Sequence, residues 1–252
     1  MILRSGGSKP KIHSSAYVAP SAVLSGEVIV GADCAILHGA VLTAEGAPLE
    51  IGASSVVMEN AVVKSSGGKA IQFPVKIGKN CIIGPGAYVV GARIDDGCFV
   101  ASGVRIFNGA HMEAGSGAAI GAILHINSTL PRNMGIPMQH IAIGKPAQIH
   151  PPEHAATIAA TLQFYETVFN LEGGEGVRAR AATAYAKFLR AFHVGDARLD
   201  DERAPKPVAR RSAEEPPPQQ VADVGGVVDA MMLELQEMEQ RRQEALKKRP
   251  RT

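Results

Sequence analysis

Three histidines stand where an imidazole could work as a general base or a metal ligand: His38, His111 and His125. A base needs an acceptor pocket beside it, and a zinc ion needs three protein donors at about 2 Å. His38 and His125 both fall within a repeated six-residue pattern. Counting along that pattern, about four coils separate them, which at ~4.8 Å per strand is about 19 Å and too far for one metal. His13, His140, His150, His154 and His193 read as solvated or locally hydrogen-bonded single residues. Cys34, Cys81 and Cys98 are odd in number and match no C-x-x-C spacing, so neither a disulfide framework nor a zinc knuckle is expected.

The elements that carry these residues are set by a period of six. Aliphatic residues recur from Ile12 through Val18, Leu24, Val30, Ile36 and Leu42, then at Ile51, Val57 and Val63, and again at Ile77, Ile83 and Val89. After a one-residue slip they run from Ile94 to Ile136. Neither a strand nor a helix has that period. Three short strands and three turns per coil of about 18 residues do, which gives a parallel β-helix of six to seven coils. The position four residues after each aliphatic is small, as at Ala22, Ala40, Ser55, Ala61, Ala87 and Ser116, and all three cysteines fall in that column. They are therefore expected as small buried apolar groups and not as reactive thiols. Two loops leave the coils, AEGAPLE after Leu42 and SSGGKAIQFPVK after Val63.

Composition agrees with a core of aliphatic residues and many turns: 46% of the chain is apolar, 4% is aromatic, and there are 27 glycines. The net charge of +2 arises from 26 basic and 24 acidic residues spread along the chain, which offers no footprint for nucleic acid or an anionic membrane. With no apolar run of about 18 residues and no apolar leader segment, a cytoplasmic location is expected.

The hexads beginning HSSAYVAPSAVLSGEVIVGAD and closing with IPMQHIAIGKPAQI resemble those of the gamma-class carbonic anhydrases over roughly residues 10 to 150. The resemblance implies an all-β left-handed parallel β-helix followed by C-terminal α-helices, assembled as a homotrimer with zinc held by three histidines between subunits. Matched hexad by hexad, the ligand positions here are Lys64, Pro85 and Val90, so no metal cofactor is expected. The family's remaining site positions fall on Thr43, Glu45 and Met58, with Glu59 beside them. Glu59 is expected near Lys64 across the subunit interface, where the ammonium would take the place of zinc. The stretch Gly144-Lys145-Pro146-Ala147 is shared with hexapeptide acyltransferases.

The pattern divides the chain into a β-helix at 10–150, two amphipathic helices at 151–195 packing on it, a disordered Pro-rich linker at 196–222 and a helical tail at 223–252. Stripes at Ile158, Leu162, Tyr165 and Phe169, and at Val177, Ala181, Tyr185, Phe188 and Phe192, mark the two helices on either side of Gly173-Gly174. The tail carries a short heptad-like seam at Val228, Met231, Leu235 and Met238 that suits a protein partner. Three functions remain open at this level: a non-catalytic scaffold or assembly protein, an acyltransferase using acyl-CoA with His38, His111 or His125 as base, and a carbonic-anhydrase-like metalloenzyme with unrelated ligands.

Overall fold

In the computed structural model the described residues are 1–67, 71–160 and 164–199. They form a left-handed parallel β-helix with helices after the coils. Its first face stacks seven strands from Lys11–Ile12 to Thr129–Leu130, and its second stacks seven from Tyr17–Val18 to Gly135–Ile136. The third face runs from Ile2–Arg4 to Ile141–Gly144 and contains eight parallel strands. The stack is thus longer than the six to seven coils expected, and it begins before residue 10. The hexad count misses Ile2–Arg4 because that strand precedes the first complete repeat.

The six-residue period is the inside of this stack. From Leu24 to Ile136 every aliphatic of the series is at most 2% exposed, and the small column at Ala22, Cys34, Ser55, Cys81, Cys98 and Ser116 is equally closed. One inward side chain per strand and one per corner fill a narrow triangular interior without aromatic rings. Each thiol lies against a backbone carbonyl, Cys34 Sγ 3.1 Å from Gly52 O and Cys81 Sγ 3.1 Å from Asp95 O, so the cysteines serve as small corner groups. The corners bend through left-handed backbone: Asn80 (φ 55°) and Gly97 (φ 70°) hold the same corner in successive coils.

Both ends of the third face are closed by antiparallel strands. Ala147–His150 folds back on Ile141–Gly144 and makes Lys145 of the G-K-P-A stretch the tip of a hairpin. At the other end Ala197–Arg198 pairs with Leu3 and Arg4. Those two residues fall inside the stretch expected to be disordered from 196 onward. The local sequence is polar, and it is the free edge of the first strand that gives it a partner. The rest of the expected linker and the helical tail at 223–252 lie outside the described residues.

After the hairpin come a 3-10 turn, α1 (Ala155–Ala160), α2 (Phe164–Phe169) and α3 (Val177–Phe192). The aromatic stripe of α3 packs on the β-helix of its own chain. A Cβ built at Gly6 would lie 2.4 Å from Phe192 Cζ, so only glycine leaves room for that ring. His150 and His154, four residues apart, face each other with ring centroids at 5.8 Å and are not the isolated pair expected. Among the described residues no group of three or more metal-binding side chains forms, and no helix is long and apolar enough to cross a membrane.

Candidate functional site

Lys64 stands on the third face in register with Thr43 on one side and Val90 on the other, so three of the expected site positions form one column. The strand carrying Lys64 continues to Gly67 and pairs antiparallel with Gln72–Phe73 of the second loop. Asn108, 5% exposed, donates to Ser66 Oγ at 2.8 Å and pins that strand. Val90 is 6% exposed.

The ammonium of Lys64 is enclosed by two oxygens. Its Nζ lies 2.9 Å from Glu45 Oε2 and donates to Tyr185 Oη at 3.0 Å, and that phenol in turn donates to Glu45 Oε2 at 3.2 Å. The triangle joins the first loop, the third face and α3. Burial by itself would lower the Lys64 pKa, but the hydrogen bonds and charges of Tyr185 and Glu45 outweigh it and hold Lys64 above its ordinary value. Burial, reinforced by Glu45, pushes the Tyr185 phenol up as well, so the lysine stays charged and the tyrosine stays neutral at physiological pH.

The other expected residues lie elsewhere. Met58, Glu59 and Pro85 occupy the corner where the third-face strands begin, Glu59 O accepting from Gly86 N at 2.9 Å, whereas Lys64 lies within its strand and Glu45 just past the end of Val41–Ala44. Within the chain, Lys64 takes its carboxylate from Glu45. Tyr185 was not among the expected site residues: it read as one member of a helix stripe, and its hydroxyl is the only local sign that it could do more.

These side chains do not suit the zinc ion that the gamma-class resemblance implies. Proline and valine offer no donor, and an ammonium held above its ordinary pKa has no lone pair for a metal. A permanent cation, matched to a carboxylate, occupies the position instead.

The nominal bases are distributed over the stack. His38 Nδ1 is 2.9 Å from Ser21 Oγ near the second face. His111 Nε2 is 2.9 Å from Asp95 Oδ2 on the first face, and Asp95 also accepts from Arg93 Nε at 2.8 Å. Burial would raise the Asp95 pKa, yet its bonds to Arg93 and His111 hold it below the usual value. His125 stacks on Phe107 (centroids 5.8 Å), its Nδ1 accepts from Ile126 N at 2.7 Å, and burial lowers its pKa.

No family model matches the chain. It is 27% identical over 192 residues to gamma carbonic anhydrase 1, mitochondrial, of Arabidopsis thaliana, covering 73% of this chain and 67% of that one. It is 34% identical over 95 residues to gamma carbonic anhydrase 3, mitochondrial, of the same plant, covering 36% of each. Gamma carbonic anhydrase 2, mitochondrial, matches at 28% over 126 residues and under half of its length. A putative acetyltransferase structure from Bacillus cereus shares 21% identity over 76% of this chain and 94% of its own, with a TM-score of 0.44. The chain is a gamma-carbonic-anhydrase-like hexapeptide-repeat protein.

Proposed function

We propose that the protein is a non-catalytic scaffold or assembly subunit that works as a homotrimer. The observation that carries this reading is the closed Glu45–Lys64–Tyr185 triangle: the column where the family places a water-activating metal is filled by a fixed ion pair and covered by a helix of the same chain. A group with no exchangeable ligand position and no displaced pKa near neutrality gives hydrolytic or hydration chemistry nothing to use. Metal analysis of the purified protein, paired with stopped-flow carbon dioxide hydration, tests the reading. Zinc far below one per chain and a rate equal to buffer are expected; stoichiometric zinc retained through dialysis would overturn it.

The trimer is supported by the outward rows of the faces. On the second face the row reads Tyr17, Ala35, Val56, Ile82, Phe99, Gly117 and Gly135, without one charge, and Tyr17 and Phe99 are each 51% exposed. On the first face the equivalent row includes Lys11, Glu50, Lys76, Arg93 and His111. One face is built for water and the other for protein.

One arrangement favours an acyltransferase as the second reading. Asp95, whose carboxylate holds His111, lines a cleft of about 340 Å³ together with Asp96, Lys76, Arg93 and Arg132, so cations able to meet the phosphates of acyl-CoA lie near a carboxylate-bound imidazole. Stabilisation by CoA in a thermal-shift assay, lost in Arg132→Glu, would support it; no shift at millimolar CoA would remove it.

A further inference from the structure

Four departures from the six-residue repeat meet at one end of the third face: the turn Ser5–Ser8, the loop Ala44–Pro48, the hairpin residue Gln72 and the C-terminal turn of α3 at Phe192. Regular coils need none of them, and irregular segments gathered on a rigid stack are where binding groups are placed. Between them lies a cleft of about 260 Å³, open also to Glu27.

Its polar groups are mostly acceptors. Glu27 is exposed and takes part in no ion pair among the described residues. Gln72 spends its Nε2 on Gly46 O at 3.1 Å, which leaves Oε1 to accept. Ser5, 2% exposed, has its Oγ 3.1 Å from His193 Nδ1, and the same nitrogen lies 2.8 Å from Asp196 Oδ2. A carboxylate only accepts, so Nδ1 must carry the proton. The Ser5 oxygen therefore receives from His193, and its own proton is free for the cleft. This is not a hydrolytic triad, in which serine and aspartate would bind opposite ring nitrogens; here both meet Nδ1. The ring of Phe192 supplies an apolar wall.

We propose that this cleft binds a small organic ammonium ion that also carries a hydroxyl or carbonyl oxygen. Glu27 and Gln72 Oε1 take the ammonium, the Ser5 hydroxyl donates to the ligand oxygen, and the carbon skeleton lies against Phe192. The site is separate from the Lys64 column. Zinc in the protein would sink the scaffold reading and leave the cleft untouched.

Ethanolamine carries both groups and is the probe, with ethylene glycol as its uncharged counterpart. Titrating the full-length protein by amide NMR, saturable shifts are expected at Gly6 and Gly46 with ethanolamine and none with ethylene glycol. Glu27→Gln, an exposed and near-isosteric change, should bind roughly tenfold more weakly, the loss of about one charge-assisted hydrogen bond. Ser5→Ala should weaken ethanolamine but not methylamine, which has no oxygen to meet. Shifts absent at saturation, equal shifts with ethylene glycol, or undiminished affinity in Glu27→Gln would each overturn the proposal.

Discussion

Lys64 Nζ and Glu45 Oε2 lie 2.9 Å apart with side chains 21% and 11% exposed, which makes them a mostly enclosed ion pair within one chain. Truncating one member of such a pair strands the other charge. A fully buried pair loses about 3–5 kcal/mol and an exposed one about 0–1, so this intermediate case should lose about 2 kcal/mol in Lys64→Met or Glu45→Gln. In urea unfolding the double variant should lose much less than the sum, with a coupling above about 0.5 kcal/mol. Glu59→Gln combined with Lys64→Met should be additive. The reverse pattern would return Glu59 to the role of partner.

Tyr185→Phe keeps the ring and removes the hydroxyl that ties α3 to the triangle. About 1 kcal/mol of stability should go with it. The loss should be local, because Phe188 and Phe192 still pack: hydrogen exchange should quicken across Val177–Phe192 and stay unchanged in the coils between Ile82 and Ile106. Uniform exchange across both regions would mean that the hydroxyl does not anchor the helix.

How these two regions read from the sequence differs for a physical reason. The coils repeat a local rule, one inward aliphatic per short strand, and Ile36, Val63 and Leu124 declare it without any knowledge of distant residues. The triangle obeys no period. Lys64 and Tyr185 are 121 residues apart and Tyr185 and Glu45 are 140 apart, so their meeting depends on where a helix outside the repeat comes to rest. Ser5 and His193, 188 apart, are hidden for the same cause. Family positions pointed to Lys64 and Glu45 separately, but only the docking of α3 shows that they answer each other. The strand at Ile2–Arg4 is lost to the hexad count because no complete repeat precedes it.

His125 gives the stack a predictable acid response. Burial depresses its pKa, so the fold favours the neutral ring, whose Nδ1 accepts from Ile126 N. A depressed folded-state pKa contributes stability that is present above the unfolded value, about 6.5, and lost as pH falls through the folded one. Stability measured by urea unfolding should decline from pH 7.5 to 5.5. His125→Asn keeps an acceptor near the Nδ1 position and cannot titrate, so its decline over the same range should be shallower. Asp95 shows the same sign at lower pH, since its folded pKa is depressed below about 3.9. An unchanged slope in His125→Asn would assign the acid response elsewhere.

On the proposed trimer reading, the outward row of the second face is the contact surface. Tyr17, Ile82 and Phe99 are 51%, 40% and 51% exposed in the isolated chain, and no charged residue interrupts their row, so water is a poor final neighbour for it. Light scattering should return three times the chain mass of 26.4 kDa at micromolar concentration. A cation placed in the middle of that row must be desolvated on association, so Phe99→Lys should shift the population toward the monomer without unfolding it, because residue 99 points away from the core. Lys76→Glu, on the charged first face, should leave the mass unchanged. If Phe99→Lys kept the trimer mass and Lys76→Glu broke it, the contact surface would be the first face; a monomeric wild-type protein would end the trimer reading altogether.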